Sequence, residues 1–383
     1  MQKNKIRLAF VLDSLTVGGG EKHTLQLFNR LSSKQFERGL VYLKRREHLL
    51  SEVDRSRGPV WCADFGRGWD RRGLRSLAVW LKTFEPTVVV AVNTYPLFYA
   101  HMARNVMPYK PLIAEIFHTL SCDLKEALKM HLVYRWCFLL SDQIIYISET
   151  QKRYWMSRGF VGKKNTRIYN GIDIRHFEDK FSDEEKRERR ERLGFDADEL
   201  VVGICAIMRP EKNHLSLLEA QKIARRRGIF FKVLMIGDGP MRAVIENRIR
   251  AYKLENEVRI TGIVSDVRPD LAICDCLVIS SDRIENFSLA VLEAMAMGKA
   301  VIASDVGAAC EQIEDGREGL IYPADCVEGL IHCLSRIREK NFRENLGRNA
   351  YKKVRALFDQ KRMICEYEEL FLNMAELKRA RPA

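Results

Sequence analysis

Short apolar runs alternate with helical segments along almost all of the 383-residue chain. The runs are rich in β-branched side chains, as expected for strands that are buried on both faces of a sheet. Parallel strands need crossover connections, and the intervening helical segments supply them. The alternation therefore predicts an α/β fold with doubly wound parallel sheets.

The strands form two series, with a highly charged segment at residues 183–192 between them. Two series predict two sheets and two domains. We expect an N-terminal domain over 1–175, a linker over 176–200, a C-terminal domain over 201–360, and a last helix over 361–383 that can cross back to the first domain. The predicted strands cover residues 6–12, 39–43, 87–92, 112–117, 143–147 and 167–169, then 201–207, 231–236, 258–261, 276–279, 300–303 and 320–322.

Charge is distributed unevenly along the chain. The formal net charge is +13, and residues 1–175 carry 29 Lys and Arg against 15 Asp and Glu. A basic half suggests an anionic partner, either nucleic acid or a membrane surface, although solubility alone is an alternative. Because no nucleic-acid-binding motif is present, we expect no nucleic-acid partner.

Ten cysteines are scattered without CxxC spacing, and the chain contains no apolar run long enough to span a bilayer. The apolar run at residues 8–12 is too short for a signal peptide. We therefore expect a cytoplasmic protein with reduced thiols.

Gly18, Gly19 and Gly20 join the first strand to an amphipathic helix. Glycines let the backbone approach a ligand closely, and a helix N-terminus offers N–H groups to an anion. The spacing matches neither GxGxxG nor a P-loop. Anion binding and a plain tight turn both remain open.

Arg209 and Lys212 follow the first strand of the second series. Ligands of open α/β sheets bind beyond the carboxyl ends of the strands, and two cations there suit a diphosphate. A surface turn with solvated charges is the alternative.

Glu285 and Glu293 lie eight positions apart, on a segment that passes from a loop into a helix with Ser288 as the predicted N-cap. The backbone amides of Phe287, Ser288 and Leu289 are predicted to be free to hold a phosphate. The segment thus offers carboxylates for sugar hydroxyls and amides for phosphate, or it is simply a helix with acidic residues.

His118 follows the strand at 112–117, and His23 follows the glycine turn. A histidine at the carboxyl edge of a sheet is a candidate for catalysis, although a structural role is more common. The histidines lack metal-ligand spacing, so no metal site is expected.

Taken in order, these motifs resemble those of retaining GT-B glycosyltransferases of family GT4. The resemblance implies two Rossmann-like domains that face an interdomain cleft. It is carried by the segment from Phe10 to Glu21, His118, the segment from Tyr146 to Ser148, the segment from Ile168 to Asp173, Arg209 with Lys212, the segment from Ile236 to Pro240, and the Glu285/Glu293 segment.

The resemblance implies roles for the C-terminal motifs. Arg209 and Lys212 correspond to the pair that grips the donor diphosphate, and the amides at 287–289 correspond to a phosphate-binding turn. Glu293 corresponds to the carboxylate that holds the ribose. Glu285 corresponds to the carboxylate near the hydroxyls of the transferred sugar.

Other positions follow from the same resemblance. The backbone near Ile263 and Val264 corresponds to the segment that reads the base. His118 corresponds to a histidine near the reacting centre, and Gly19 and Gly20 correspond to a loop that closes over donor or acceptor. The implied donor is a UDP-sugar or a GDP-sugar, no metal is required, and configuration is retained.

The implied acceptor is a glycan or a lipid-linked saccharide in bacterial surface-polysaccharide or lipopolysaccharide synthesis. An acceptor at a membrane fits the basic half, which suggests a peripheral enzyme on the inner face of the cell membrane. Candidate contacts with anionic lipid are residues 44–46, Arg71 and Arg72, and a helix over 124–140 with Lys125, Lys129, Arg135, Trp136 and Phe138. Burial of that helix in the domain core is the alternative.

Other functional classes remain to be separated from a transferase. A sugar-nucleotide epimerase of the same fold binds a similar donor, but needs no acceptor. A basic nucleic-acid-binding protein is the non-enzyme alternative. A non-catalytic scaffold leaves the intact charged motifs unexplained, and a glycoside hydrolase leaves Arg209 and Lys212 unexplained.

Overall fold

The computed structural model describes residues 5–66, 70–119, 124–283 and 285–379. The chain divides into two compact units. The first contains residues 1–170 and 361–383, and the second contains residues 171–360. The second unit is therefore inserted, along the chain, between two parts of the first.

The first unit is built on a parallel seven-stranded sheet with the order β3-β2-β1-β4-β5-β6-β7. Every strand is short and most are fully buried, as the sequence pattern predicts. The strands are β1 (Ile6–Leu12), β2 (Phe36–Tyr42), β3 (Val60–Cys62), β4 (Val88–Val92), β5 (Leu112–Phe117), β6 (Gln143–Tyr146) and β7 (Asn165–Arg167). The helices are α1 (Gly19–Arg30), α2 (Arg71–Phe84), α3 (Thr94–Val106), α4 (Leu124–Lys129), α5 (Arg135–Leu140) and α6 (Glu149–Met156).

The second unit repeats this architecture with a parallel six-stranded sheet in the order β10-β9-β8-β11-β12-β13. Its strands are β8 (Val201–Cys205), β9 (Lys232–Ile236), β10 (Val258–Gly262), β11 (Cys276–Ile279), β12 (Ala300–Ser304) and β13 (Gly319–Tyr322). Its helices are α7 (Asp183–Arg192), α8 (His214–Arg226), α9 (Arg242–Tyr252), α10 (Arg268–Ile273), α11 (Leu289–Ala296), α12 (Ala309–Gln312), α13 (Val327–Arg336) and α14 (Lys340–Leu357). The two doubly wound sheets confirm the predicted fold class.

The charged segment between the two series of strands forms α7, which packs within the second unit. Ser182 and Glu185 make the reciprocal hydrogen bonds of a capping box at its start. Arg189 forms an ion pair of 2.6 Å with Asp270, whose side chain is almost fully buried. This pair fastens α7 to α10.

Three strands of the first sheet differ clearly from the sequence prediction. The strand predicted at 39–43 is β2, which begins three residues earlier, at Phe36. The edge strand β3 was not predicted, because its three residues are too few to show a period. The last strand, predicted at 167–169, lies at Asn165–Arg167 and pairs with β6. Its polar residues leave only a weak hydrophobic pattern, so its start could not be read from the sequence.

The last helix, α15 (Gln360–Arg379), returns the chain to the first unit. Glu368 accepts a hydrogen bond of 2.6 Å from the backbone N–H of Ser32. The rings of Phe371 and Phe36 pack edge to face, with centroids 6.4 Å apart. Both aromatic residues are buried, so α15 completes the core of the first unit.

The segment predicted as one helix over 124–140 consists of α4, a π-helical turn at Met130–Tyr134, and α5. Its two faces differ in burial. Phe138 is fully buried in the core, which corrects its expected role as a lipid contact, whereas Trp136 is 67% exposed. The side chain of Lys125 lies outside the described residues. Among the helices in the described ranges, none is long and apolar enough to cross a bilayer.

Two buried histidines make stability dependent on pH. Burial lowers the pKa of His101 and of His214 from 6.5 to about 4. The unfolded chain therefore binds protons that the folded chain excludes. The stability that neutral histidine provides is fully present above pH 6.5 and is lost as the pH falls towards 4, by about 3 kcal/mol for each residue.

We expect His101→Gln and His214→Gln each to reduce the loss of stability that accompanies acidification. Urea unfolding at pH 7.5 and pH 5.0, in the wild type and in each variant, measures this difference and cancels the titration of other groups. A variant whose stability falls as steeply as that of the wild type would contradict the assignment for that residue.

Candidate functional site

The order of strands in the second sheet places the carboxyl ends of β8 and β11 side by side. On one side of β8 the sheet continues through β9 to β10, and on the other side it continues through β11 and β12 to β13. Chain connections therefore leave on opposite sides at this point, which opens a crevice where α/β sheets bind ligands. The segments that follow β8 and β11 carry Arg209, Lys212 and Glu285.

The loop after β8 is held in a defined conformation. Pro210–Lys212 forms a single 3₁₀ turn, and Asn213 then adopts the left-handed conformation with φ 45° before α8 begins. The hydroxyl of Ser280, just after β11, donates to the carbonyls of Lys212 at 2.9 Å and Asn213 at 3.1 Å. The Ser280 side chain thus joins the loop after β11 to the backbone of the loop after β8, which fixes where the Lys212 side chain begins.

Lys212 and Glu285 form the central ion pair of the site. Lys212 Nζ lies 2.7 Å from Glu285 Oε2, and the Ser281 hydroxyl donates to the same oxygen at 2.8 Å. Ser304 Oγ in turn donates to the Ser281 carbonyl at 2.6 Å. Glu285 is 7% exposed, so this charge-assisted pair is partly shielded from water and correspondingly strong.

The resemblance assigns Lys212 to the donor diphosphate and Glu285 to the transferred sugar, whereas the structure pairs the two side chains with each other. A cation and a carboxylate at this distance balance their charges while each keeps some capacity for a further partner. Arg209 is more open, since its side chain is 56% exposed and lies 3.9 Å from Glu211. The pair is therefore the ordered element, and Arg209 is the accessible cation beside it.

The start of α11 corrects one prediction about the backbone amides. The N–H of Ser288 donates to Gln312 Oε1 at 3.0 Å, and Gln312 Nε2 returns a hydrogen bond of 2.8 Å to the Ser288 carbonyl. Gln312 is buried, so this amide is not free to bind phosphate. Ser288 occupies the N-cap position of α11, but its side chain makes no capping hydrogen bond.

Gln312 is a residue that sequence reasoning missed. It lies 24 positions after Ser288, in the short helix α12, and nothing in its sequence neighbourhood marks it. Its paired hydrogen bonds hold the first turn of α11 against α12. The nearby ring of Phe287 is buried against Phe358, with centroids 5.3 Å apart, so the turn is anchored on two sides.

The remaining predicted residues of this unit have different exposures. Leu289 is the first residue of α11, and Glu293 lies in its second turn; both are partly exposed. Ile263 and Val264 follow the edge strand β10, and Ile263 is 88% exposed. An apolar side chain so exposed is available to contact a ligand.

In the first unit, the glycine turn and His118 come together. A Cβ built on Gly20 would lie 3.1 Å from His118 Cδ2, so the imidazole packs directly against the glycine backbone. The N–H of His118 donates to Asn93 Oδ1 at 2.8 Å, which joins the ends of β4 and β5. Gly19 has open space where a side chain would be.

His23 lies behind His118 and does not face solvent. The two rings are in edge contact with centroids 5.1 Å apart, and the ring centroid of Tyr367 in α15 lies 5.4 Å from that of His23. Burial lowers the pKa of His118 to about 4. His118 is therefore uncharged near neutral pH and adds no fixed positive charge at the carboxyl edge of the sheet.

Within the described ranges, no group of three or more His, Cys, Asp or Glu side chains is arranged to hold a metal ion. Nine of the ten cysteines are free thiols, and Cys122 lies outside the described residues.

Comparison with known proteins identifies the class. The family described as glycosyl transferases group 1 matches residues 185–353, and the family described as glycosyltransferase family 4 matches residues 17–176. Together these matches cover most of both units. The chain belongs to the GT4 family of GT-B glycosyltransferases, so it is an enzyme that transfers a sugar.

Individual relatives show how far this likeness extends. The chain is 20% identical over 382 residues to the UDP-Gal:α-D-GlcNAc-diphosphoundecaprenol α-1,3-galactosyltransferase of Escherichia coli, covering 97% of this chain and 98% of the relative. It is 32% identical over 182 residues to the α-D-kanosaminyltransferase of Streptomyces kanamyceticus, but spans only 45% of that protein. The crystal structure of Anabaena HepE in complex with UDP superposes with a TM-score of 0.83 at 19% identity, over 96% of this chain and 100% of that one. This last likeness establishes the fold.

Proposed function

We propose that the enzyme transfers a hexosyl group from a UDP-sugar or a GDP-sugar to a hydroxyl of a glycan or lipid-linked acceptor, with retention of configuration. The proposal depends chiefly on one observation. The Lys212–Glu285 pair lies at the switch point of the second sheet, where an anionic diphosphate and the hydroxyls of a sugar can be bound side by side.

The leaving group determines what the site must do. Breaking the bond between the anomeric carbon and the diphosphate oxygen leaves negative charge on the diphosphate and an oxocarbenium-like sugar. Lys212 and Arg209 stabilise that negative charge, a role we assign to them without a metal ion. Glu285 orients hydroxyls of the sugar, and Glu293 holds the ribose.

Same-face attack by the acceptor hydroxyl then forms the new glycosidic bond with retention. The acceptor loses its proton in this step, and the departing diphosphate oxygen is a base of suitable position. His118, held neutral beside Gly20, is assigned to the region near the reacting carbon. The UDP complex of Anabaena HepE and the UDP-Gal donor of the Escherichia coli relative support a nucleotide-sugar donor.

We expect UDP or GDP to raise the melting temperature of the protein, whereas AMP and inorganic phosphate leave it unchanged. Binding only the folded state at 100 times Kd adds about 2.7 kcal/mol, which thermal shift detects readily. Comparing the melting temperatures with UDP and GDP identifies the base, and the same measurement with the matching UDP-sugars or GDP-sugars then identifies the sugar. A melting temperature that rises with no nucleoside diphosphate would contradict the proposed donor site.

The acceptor side suggests where the enzyme works. We propose that it is cytoplasmic and peripheral on the inner face of a bacterial cell membrane, serving surface-polysaccharide or lipopolysaccharide synthesis. Residues 1–175 carry 29 basic against 15 acidic residues, which favours an anionic surface. The acceptor of the Escherichia coli relative, a diphosphoundecaprenol-linked sugar, is consistent with this location.

Flotation with lipid vesicles tests the membrane proposal. We expect the protein to float with vesicles that contain anionic phosphatidylglycerol at 0.1 M salt, where the Debye length is about 10 Å, and to be released at about 1 M salt. Vesicles of phosphatidylcholine are the control. Equal recovery with both lipids, or none with either, would contradict an anionic membrane partner.

A further inference from the structure

A cavity of about 670 Å³ opens in the first unit and carries a mixture of charge and aromatic surface. Its basic residues are Lys44, Arg45, Arg46 and Lys129, and its only lining carboxylate among the described residues is Asp64. Tyr95, Phe98, Tyr99 and Tyr134 contribute aromatic walls. We refer to this space as the basic cavity.

The basic cavity lies at the carboxyl edge of the first sheet. Lys44 follows β2, Asp64 follows β3 and Tyr95 follows β4, so segments that leave three strands on the two sides of β1 deliver its residues. His118 and Gly20 follow strands of the same parallel sheet, at this same edge. The cavity is therefore on the ligand-binding side of the first unit.

The four basic side chains of the cavity differ in the ion pairs that they form. Lys44 Nζ lies 2.8 Å from Asp13 Oδ1 and 4.2 Å from the centre of the Tyr95 ring. Arg45 pairs with Asp64 at 3.4 Å, but both side chains are largely exposed, so water screens the pair. Arg46 and Lys129 have no ion pair with any described residue, and both are exposed. The cavity thus has excess positive charge.

A row of exposed apolar side chains begins beside this charge. Leu128, Leu132, Trp136 and Leu140 recur every four residues along the segment from α4 to α5, and their exposures are 60%, 67%, 67% and 52%. The opposite face of the segment is buried. Four large apolar side chains on one exposed face form a patch that soluble proteins generally keep for a binding partner. We refer to them as the apolar row.

The basic cavity and the apolar row are connected. Lys129, Val133 and Tyr134 come from the same helical segment as the row and line the cavity, and Val133 is 39% exposed. A ligand that fits both features needs a compact group of several negative charges, joined directly to a hydrocarbon chain. A phospholipid bilayer offers single charges on a flat surface, which suits the row but not a concave cavity.

We propose that the basic cavity binds the diphosphate of a polyprenyl-diphosphate-linked saccharide, with the isoprenoid chain lying along the apolar row. The inference rests on the proposed function, because it names the acceptor of that reaction. The acceptor diphosphate is not cleaved. It serves as the handle that holds the saccharide, while a sugar hydroxyl attacks the donor.

Calorimetric titration with farnesyl diphosphate, a short soluble polyprenyl diphosphate, tests the inference. The nucleoside diphosphate that raises the melting temperature, UDP or GDP, is present at saturating concentration throughout, so that the donor site cannot take up the probe. We expect farnesyl diphosphate to bind at least tenfold more tightly than inorganic pyrophosphate or farnesol. Inorganic pyrophosphate lacks the chain and farnesol lacks the charge, so the comparison requires both features in one molecule.

Two double variants separate the cavity from the row. Arg46→Ala with Lys129→Ala, and Leu132→Ser with Trp136→Ser, are each expected to weaken farnesyl diphosphate binding at least tenfold. The matched controls are Lys34→Ala with Arg153→Ala for charge and Val79→Ser for an exposed apolar side chain of the same unit; both are expected to bind as the wild type does. The wild type and the four variant proteins are all expected to keep the thermal shift with UDP or GDP, which shows that they are folded.

The inference is overturned if farnesyl diphosphate binds no better than pyrophosphate or farnesol, or if either double variant binds it normally. It is also overturned if the cavity variants lose only binding to phosphatidylglycerol vesicles, because the surface would then recognise lipid headgroups. In each case an intact thermal shift with UDP or GDP leaves the proposed donor function standing. A wild-type protein whose melting temperature rises with neither nucleotide contradicts the donor function instead.

Discussion

Replacing Lys212 with alanine is expected to lower kcat/KM for sugar transfer by about two to three orders of magnitude. Its ammonium lies 2.7 Å from Glu285 Oε2, at the carboxyl ends of β8 and β11, where the leaving diphosphate gains charge in the proposed reaction. A stabilising cation in a partly desolvated site is worth far more than one in water. Release of nucleoside diphosphate under steady-state conditions measures the effect, and affinity for the diphosphate should fall as well.

The same substitution leaves the Glu285 carboxylate with the Ser281 hydroxyl but without its cation. Circular dichroism and a thermal melt therefore have to show that the variant folds. Lys352→Ala, at an exposed position of α14, is the matched control and should turn over normally. A folded Lys212→Ala protein with unchanged turnover would remove Lys212 from the mechanism.

Glu285→Gln is expected to lower kcat for transfer by about two orders of magnitude, while leaving the Kd for the nucleoside diphosphate nearly unchanged. The amide keeps the volume of the side chain and can still accept from Ser281, but it loses the charge that pairs with Lys212. Because we assign this carboxylate to the transferred sugar, which the free diphosphate lacks, binding and transfer should separate. Titration calorimetry with the diphosphate and turnover with the donor measure the two quantities.

Glu344→Gln removes the same charge from an exposed position of α14 and provides the comparison for Glu285→Gln. A Glu285→Gln enzyme with wild-type kcat, or one that loses diphosphate binding as strongly as transfer, would contradict the assignment of Glu285 to the sugar. Lys212→Ala provides a contrast, because that variant is expected to lose both sugar transfer and affinity for the nucleoside diphosphate.

The fold could be predicted from the sequence because its main signal is local. Buried parallel strands are continuous apolar runs, so β1, β5 and β11 were placed at their observed bounds. The edge strand β3 was missed because three residues carry no period. The segment 124–140 was ambiguous because it is apolar on both faces, and only packing shows that Phe138 is buried while Trp136 is not.

The site was predictable only in part, for a related reason. Lys212, Glu285 and His118 each follow a predicted strand. They are candidates because ligands of open α/β sheets bind beyond the carboxyl ends of the strands. Partners that come from distant segments leave no local pattern. The contact of Lys212 with Glu285 spans 73 positions, and the hydrogen bond of Gln312 to Ser288 spans 24.

The return of α15 to the first unit has a consequence for biosynthesis. Domains usually fold in the order in which they leave the ribosome. Here the first unit lacks Glu368, Phe371 and their contacts with Ser32 and Phe36 until nearly the whole polypeptide has been translated. The segment that is synthesised first therefore completes its packing last, and a nascent chain that terminates before residue 361 would leave it with an open apolar surface for chaperones to cover.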